Sequence, residues 1–287
     1  MTPFFQLDPK IESASAAALQ QVAPRFTEID EVTEYNQLKV LRAFMDNGIS
    51  ERHFGSSTGY GYGDEGRETL DKVWAQVFGA EDALVRHNFT CGTHTLAVAL
   101  FGVLRPGDKM LCVSGMPYDT LHSVIGLTGE NMGSLKDYGI AFDCVPLKEE
   151  HLDYEAIAKA VDDTVTMVYI QRSRGYAPRR ALSVAEIGEI VRAVKAGCPD
   201  TAVIVDNCYG EFTEECEPTA LGADLIAGSL IKNPGGGLAP MGGYVAGRAD
   251  LVEQAAERLT LPGIGSECGA SLGVNRTLFQ GFFFAPH

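Results

Sequence analysis

The sequence of 287 residues contains little that would place it in or across a membrane. No apolar run approaches the roughly 20 residues that a membrane-spanning helix needs. The first residues, Met1 to Phe4, lack the basic patch and the apolar core of a secretory signal. We therefore expect a cytoplasmic protein with no membrane partner.

Basic residues are also scarce, because 23 Lys and Arg stand against 38 Asp and Glu, which gives a formal net charge of −15. Proteins that bind nucleic acids take their affinity from clustered Lys and Arg, so we expect no nucleic-acid partner. The seven cysteines show neither CxxC nor Cys/His spacing. This excludes a disulfide framework and a zinc site, and it predicts reduced thiols and no bound metal.

What the sequence does contain is an alternation of short apolar runs and helical segments. A helical pattern covers residues 11–49, and a glycine-rich loop over 54–66 leads into a second helix over 67–78. Strands are predicted at 83–85, 110–113, 140–145, 165–170, 202–205, 225–227 and 244–246. Further helices are predicted at 93–103, 120–127, 154–161, 184–194 and 251–259.

Several of these strands are apolar on consecutive residues, as in VTMVYI and AVIV, which suits burial on both faces of a sheet. The alternation of strands and helices predicts an α/β fold, a three-layer, mostly parallel sheet with helices on both faces. Ligands of such sheets bind beyond the carboxyl ends of the strands. The polar residues that follow the predicted strands, at 91–94, 117–119, 171–174, 206–209 and 229–232, are therefore candidates for a site.

The glycine-rich loop matches GxGxxG at residues 61–66. A dinucleotide-binding fingerprint must follow a strand, and no buried strand precedes this loop, so a nicotinamide-dependent dehydrogenase is a weak alternative. The sequence has no GxxxxGK[ST] motif, which excludes a Walker-type phosphate loop.

Lys232 is the most informative single residue, because it follows an apolar strand among small residues. A lysine in that position is either a solvated surface residue or a lysine that forms a Schiff base. Asp206 ends the preceding predicted strand, and a carboxylate there can keep a pyridine nitrogen protonated. These two groups are the ones that pyridoxal chemistry needs most. Burial and nearby cations are expected to lower the pKa of such a lysine.

Four motifs together carry a family resemblance. They are YGYGDEGRETLD, CGTHTL, VDNCYGEF and GADLIAGSLIKNPGGG, which fall within residues 55–247. The chain resembles the methionine gamma-lyase family, including proteins called aluminium resistance proteins or cystathionine beta-lyases, among the fold type I enzymes that use pyridoxal 5′-phosphate. The resemblance implies this cofactor and the large domain of that fold.

The resemblance also implies roles for individual residues. Lys232 would form the internal aldimine and move protons on the substrate, and Asp206 would pair with the pyridinium nitrogen. Gly92 and Thr93 would hold the cofactor phosphate at a helix N-terminus, where backbone N–H groups attract anions, and Ser229 would add a hydroxyl. The alternatives are an Asp that begins a turn and an ordinary helix start.

Aromatic residues complete the implied site. Tyr118 would stack over the pyridine ring as part of the catalytic apparatus, or it is a core or turn tyrosine. Tyr60 and Tyr62 lie where related lyases send a Tyr and an Arg to the phosphate of a neighbouring subunit, which implies a homodimer or homotetramer. The second of these residues is not an Arg here, and Arg67 would either supply the missing charge or simply begin a helix.

The resemblance further suggests three segments. Residues 1–54 form an N-terminal helical segment, 55–260 the pyridoxal-phosphate-binding large domain, and 261–287 the start of a connection to a C-terminal small domain that is apparently missing. Phe282, Phe283 and Phe284 are expected to form an apolar patch without a partner. In related lyases an arginine of the small domain binds the substrate carboxylate. Arg276 is the arginine of this sequence that lies nearest to that domain, but no motif assigns it the role.

The predicted function is that of a pyridoxal-phosphate-dependent C–S lyase, which would catalyse β- or γ-elimination on a sulfur-containing amino acid such as cystathionine or methionine. His94, Arg172 and Arg174 would either touch this small-molecule substrate or lie at the surface or the phosphate rim. The alternatives are another fold type I enzyme, an aldolase or aminotransferase, and a non-catalytic fragment that binds the cofactor.

Overall fold

The structure is a computed structural model that describes residues 6–130 and 132–287. The α-helices in these residues are α1 (Pro9–Asp46), α2 (Glu65–Phe78), α3 (Gly92–Val103), α4 (Asp119–Ile125), α5 (Tyr154–Ala160), α6 (Val184–Gly197), α7 (Ala249–Leu259) and α8 (Asn275–Phe284). The strands are β1 (Asp82–Arg86), β2 (Lys109–Cys112), β3 (Ala141–Cys144), β4 (Met167–Gln171), β5 (Ala202–Asp206), β6 (Leu225–Ser229) and β7 (Gly243–Gly247). Turns of 3-10 helix lie at Glu51–Phe54, Pro218–Leu221, Asn233–Gly235 and Gly265–Glu267. The predicted strands are all found, with small shifts at their ends.

The strands form one sheet in the order β1-β7-β6-β5-β4-β2-β3. Pairs from β6 through β5, β4 and β2 to β3 are parallel, whereas β7 is antiparallel to both β1 and β6. Since β1 and β6 both oppose β7, the strands other than β7 all run in one direction. The predicted α/β fold with a mostly parallel sheet is confirmed.

Helices cover both faces of the sheet, which explains why the first four residues of β5, AVIV, are all apolar. Val203 and Val205 point into the core under α2, α6 and α8, while Ala202 and Ile204 point into the core under α3 and α7. A strand that is buried on both faces has no solvent side and therefore no alternation of apolar and polar residues.

The C-terminal helix α8 packs on the first of these cores. The rings of Trp74 and Phe282 stack with their centroids 4.1 Å apart, and both side chains are fully buried. Phe279 is also fully buried, whereas Phe284 is 51% exposed. The expectation of an unpartnered apolar patch at residues 282–284 is therefore wrong for Phe282, because Trp74 on α2 provides its partner. The proposed division at residue 261 stays a prediction.

Backbone-to-backbone contact joins α8 to the turn that follows Lys232. A Cβ atom on Gly236, whose φ is +56°, would lie 2.1 Å from the carbonyl oxygen of Gly281. A Cβ on Gly281 would lie 2.3 Å from the carbonyl oxygen of Gly235. Only glycine permits this approach at these positions, so α8 supports the turn at the end of β6.

The long helix α1 meets the core through its C-terminal third, where Asn36, Val40 and Ala43 are its buried residues. In its first half, Leu19 and Phe26 are about half-exposed. Among the described helices, none combines the length and the apolar character that a membrane crossing requires.

Candidate active site

A cavity of about 910 Å³ opens at the carboxyl edge of the sheet, where the loops that follow β1, β2, β4, β5 and β6 converge. Its volume falls within the usual range for small-molecule sites. Six of the eight residues predicted to bind the cofactor line it: Gly92, Thr93, Tyr118, Asp206, Ser229 and Lys232. The structure thus brings these residues together, while their roles stay predictions.

Asp206 is the last residue of β5 and is only 2% exposed. One carboxylate oxygen accepts a hydrogen bond from the backbone N–H of Cys208 at 3.1 Å, and the Tyr169 hydroxyl lies 3.5 Å from the other. Burial raises the pKa of Asp206, although the nearby Lys232 and these hydrogen bonds oppose that rise. A buried carboxylate with so little solvation would favour a cation placed against it.

Lys232 lies three residues beyond β6 and is half-buried at the cavity wall. Burial alone would lower the pKa of its amine, but the acidic neighbours Cys208, Tyr209 and Asp206 outweigh burial, so the pKa is raised. The predicted lowering of the Lys232 pKa is therefore wrong in direction. The reason is that the argument from the sequence considered burial and nearby cations, and not the acidic groups that the fold places beside the amine.

Tyr209 is one of the candidate residues after the predicted strands, but no individual role was predicted for it. Its φ is +69°, a left-handed conformation that a bulky residue rarely adopts, and its ring centre lies 3.9 Å from the Nζ of Lys232. The side-chain amide of Asn233 donates hydrogen bonds of 3.2 Å to the carbonyl oxygens of Tyr209 and Glu211. These bonds hold the strained backbone, so that the tyrosine ring faces the lysine.

The N-terminus of α3 forms the end of the cavity near β1. The Sγ of Cys91 accepts a bond from the backbone N–H of His94 at 3.4 Å and so caps the helix. A Cβ on Gly92 would lie 3.3 Å from the Cβ of Ser229 and 3.5 Å from the Sγ of Cys208. The absence of a side chain at position 92 leaves the first N–H groups of α3 open to the cavity, which suits an anion such as phosphate.

Tyr118 caps α4 and is held at both ends. Its backbone N–H donates to the side-chain oxygen of Gln171 at 2.8 Å, and its hydroxyl lies 2.9 Å from the Thr93 hydroxyl. Thr93 is also 3.0 Å from the hydroxyl of Thr120. Burial raises the pKa of Tyr118, so the phenol stays protonated at neutral pH. The tyrosine side chain is thus fixed in the cavity wall next to the N-terminus of α3.

Arg172 reaches the cavity, but its charge is already paired. The side chain is buried and forms ion pairs with Glu214 at 2.7 Å and with Glu217 at 3.2 Å. It also donates to the side-chain oxygen of Asn207 at 2.8 Å. Burial of Arg172 excludes the predicted surface position, and its guanidinium supports the turn after β5. The predicted contacts with the substrate or the phosphate rim stay predictions.

Arg174, Arg276 and His94 differ in their positions relative to the cavity. Arg174 is exposed and lines the cavity. The ring Nδ1 of His94 accepts from the backbone N–H of Thr90 at 3.1 Å. Arg276 lies apart from the cavity lining, 3.5 Å from Glu51. Arg174 therefore remains the candidate among these three for contact with a substrate.

Behind Asp206 lies a buried polar cluster that we call the Glu211 cluster, formed by Asn207, Glu211, Glu217 and Tyr244. The Tyr244 hydroxyl donates to one oxygen of Glu211 at 2.8 Å, and the Asn207 amide donates to Glu217 at 2.8 Å. The second oxygen of Glu211 has no hydrogen-bond partner among the described residues. Burial raises the pKa of Glu211 to about 8, so this carboxyl is mostly neutral at pH 7.

Tyr60 and Tyr62 are not part of this cavity. They are 75% and 57% exposed, and their rings lie 5.9 Å apart on the glycine-rich loop. Arg67 is buried and donates to the carbonyl oxygens of Gly61 at 2.8 Å and Glu267 at 3.0 Å. The guanidinium of Arg67 thus holds the loop against the segment before α8, which leaves the two tyrosines projecting outward.

Comparison with known proteins identifies the family. A family model described as methionine gamma-lyase matches residues 11–287. The chain belongs to the methionine gamma-lyase family. The Bacillus subtilis protein YnbB is 51% identical over 262 residues, which cover 91% of this chain and 62% of that protein. The chain therefore spans about six tenths of the length of this relative.

Solved structures of family members agree closely with this fold. A carbon-sulfur lyase involved in aluminium resistance from Clostridium novyi is 53% identical, with a TM-score of 0.95 over 98% of this chain and 68% of that one. A Listeria monocytogenes protein proposed to be a cystathionine beta-lyase involved in aluminium resistance is 50% identical, with the same TM-score over 96% of this chain and 68% of that one.

A more distant structure shares the fold alone. The pyridoxal-5′-phosphate-dependent protein YhfS from Escherichia coli is 18% identical, with a TM-score of 0.66 over 90% of this chain and 64% of that one. The methionine gamma-lyase family member described here thus has the α/β fold of pyridoxal-phosphate-dependent enzymes, as the sequence motifs implied.

Proposed function

We propose that this chain forms the cofactor-binding part of a pyridoxal-phosphate-dependent C–S lyase that acts on a sulfur-containing amino acid by β- or γ-elimination. The observation that carries the proposal is that Lys232 and Asp206 line the same cavity from neighbouring parallel strands, with the N-terminus of α3 beside them. Membership of the methionine gamma-lyase family supports the reaction class.

The residues in the cavity fit the chemistry of this cofactor. Gly92 leaves the N–H groups at the start of α3 open, and Ser229 packs against that position, so both can hold a phosphate. Asp206 is a buried acid that can keep a proton on a ring nitrogen. When bound, pyridoxal phosphate supplies a ring that withdraws electrons from the substrate Cα.

Lys232 and Tyr118 carry the remaining roles. The amine of Lys232 attaches the cofactor, and as a free base it takes the proton from the substrate Cα and delivers protons to Cβ or Cγ. Tyr118 presents its ring from the cavity wall, where its bonds to Gln171 and Thr93 fix its orientation. Elimination of a thiol and hydrolysis of the remaining enamine would yield a 2-oxo acid and ammonia.

The test is covalent attachment of pyridoxal phosphate followed by product analysis. Borohydride treatment of the loaded protein should fix the cofactor on the peptide that contains Lys232, as detected by mass spectrometry. Lys232→Ala should lose this adduct, whereas Lys72→Ala, an exposed lysine on α2, should retain it. With methionine or cystathionine the loaded protein should release a thiol and ammonia. Transfer of the amino group to an added 2-oxo acid would refute the lyase.

We also propose that the protein assembles as a homodimer or homotetramer in which Tyr60 and Tyr62 reach a neighbouring cavity. Both tyrosines are exposed and neither lines the cavity of its own chain, which supports this arrangement. Light scattering should show an assembly larger than a monomer. Tyr60→Ala should weaken binding of pyridoxal phosphate, and mixing it with Lys232→Ala should restore some sites. A monomer with full cofactor affinity would contradict the proposal.

A further inference from the structure

Two cysteines lie side by side on neighbouring parallel strands. Cys112 ends β2, Cys144 ends β3, and the two residues are directly paired in the register of these strands. Both side chains belong to the same face of the sheet, since Cys112 lies in the core under α3 and Cys144 packs against that core. Neither takes part in the candidate active site.

The strand geometry suits a bond between their sulfur atoms. Neighbouring strands lie about 4.8 Å apart, and disulfides join residues whose Cα atoms are about 4.4–6.8 Å apart. Because side chains of paired residues in parallel strands leave the sheet on the same side, both thiols lie on one face of it. Strands about 4.8 Å apart need to close only slightly to bring the two Cβ atoms within the about 3.5–4.5 Å that a disulfide requires.

The two thiols differ in their exposure to solvent and in their pKa. Cys112 is fully buried and its thiol donates to the carbonyl oxygen of Gly115 at 2.9 Å. Cys144 is partly exposed on β3, the last strand of the sheet. The neighbouring Cys112 thiol lowers the pKa of Cys144, whereas burial raises the pKa of Cys112. The thiolate that forms more readily is therefore the one that solvent can reach.

We propose that Cys112 and Cys144 form an oxidation site at which a peroxide converts the two thiols into an intramolecular disulfide. The Cys144 thiolate attacks the peroxide, an S–O bond forms, the O–O bond breaks, and water leaves after protonation. The Cys112 sulfur then attacks Cys144, an S–S bond forms, the S–O bond breaks, and the Cys112 proton leaves in a second water. Two thiols are oxidised and one hydrogen peroxide is reduced.

The disulfide would change the segment that leads to the candidate active site. The Cys112 proton that leaves is the one that bonds to Gly115, and the turn at Gly115 connects β2 to Tyr118. Oxidation should therefore loosen this turn, which would show as faster amide exchange over residues 114–118.

The experiment treats the folded full chain with hydrogen peroxide, blocks the remaining thiols with an alkylating agent, and maps the peptides by mass spectrometry. The expected result is one pair of linked peptides that contains Cys112 and Cys144, lighter by two hydrogens and released by dithiothreitol. Cys144→Ser should abolish the linked pair, and Cys198→Ser, which changes a partly exposed cysteine elsewhere, should leave it unchanged.

Two outcomes would overturn the proposal. One is that peroxide converts Cys144 to a sulfenic or sulfinic acid while Cys112 stays available to the alkylating agent after unfolding. The other is that Cys112 links to a cysteine other than Cys144. Neither outcome depends on cofactor binding or on lyase activity, so failure of this proposal is distinct from failure of the proposed function.

Discussion

The Nζ of Lys232 lies 3.9 Å from the centre of the Tyr209 ring, and the backbone of Tyr209 is held in the left-handed region to place the ring there. Such a conformation costs about 1–3 kcal/mol for a residue other than glycine. The strain is located next to the lysine that we propose to bind the cofactor. The strained backbone lowers the stability of the fold, and it positions an aromatic ring beside the amine of Lys232.

Removal of the ring should lower the pKa of Lys232. A cation is attracted to an aromatic face, so loss of the ring removes an interaction that favours the protonated amine. Tyr209→Leu should show this drop, and Tyr209→Phe, which keeps the ring, should show a smaller one. The pH dependence of reductive methylation of Lys232, followed by mass spectrometry, measures it. Equal values in all three proteins would refute the interaction.

Gly92 should be required for the phosphate of the cofactor. A Cβ there would make a tight contact of 3.3 Å with the Cβ of Ser229 and would take up space beside the first N–H groups of α3. Gly92→Ala should therefore weaken binding of pyridoxal phosphate about tenfold or more, a cost of about 1.4 kcal/mol. Binding of pyridoxal, which lacks the phosphate, should change much less, and the ratio of the two affinities is the measurement.

The matched control is Gly197→Ala at the end of α6, where an added Cβ meets no atom within 4 Å. Its affinity for both compounds should equal that of the wild type. If Gly92→Ala lowered both affinities by the same factor, position 92 would support the cavity in general rather than the phosphate.

Much of this site follows from the sequence because it depends on local signals. The strand before Asp206 is apolar at every position, and the strand before Lys232 ends in small residues, so both residues could be placed at strand ends. Since parallel strands share a carboxyl edge, the two could also be placed in one site. The structure brings them to one cavity.

The rest depends on contacts between distant parts of the chain. Helix α8 was not predicted, because its sequence NRTLFQGFFF lacks a clear polar face and contains Gly281. Its position depends on the stacking of Phe282 on Trp74. The left-handed backbone of Tyr209 was not predictable either, since it depends on bonds from Asn233. The raised pKa of Lys232 likewise depends on groups that only the fold brings near.

Glu211 should make the stability of the protein depend on pH. Its pKa is about 8 in the folded chain and has an ordinary value of 4.5, so the folded state binds the proton more tightly. The contribution of Glu211 to stability is complete below pH 4.5 and is lost as the pH rises through about 8. Wild-type stability should fall by about 2 kcal/mol between about pH 6 and about pH 8 from this group.

Glu211→Gln mimics the neutral acid and does not titrate, so it should lack this part of the pH dependence. Urea unfolding at both pH values gives the free energy of unfolding of each protein. The variant should lose less of this free energy than the wild type as the pH rises. Glu253→Gln, on the exposed side of α7, serves as the control and should follow the wild type. A parallel pH dependence for wild type and Glu211→Gln would show that Glu211 is ionised in the fold.

Arg67 should be a structural residue that holds the glycine-rich loop. Its buried guanidinium donates to carbonyl oxygens on the loop at Gly61 and on the segment before α8 at Glu267. Arg67→Met keeps much of the volume but leaves these acceptors unpaired, which should lower the free energy of unfolding by about 2–4 kcal/mol.

The control is Arg276→Met, which removes a half-exposed arginine with one ion pair of 3.5 Å and should lower the free energy of unfolding by less than about 1 kcal/mol. Urea unfolding compares the two, and amide exchange should rise over residues 57–63 in Arg67→Met alone. Equal destabilisation by the two variants would contradict the assignment.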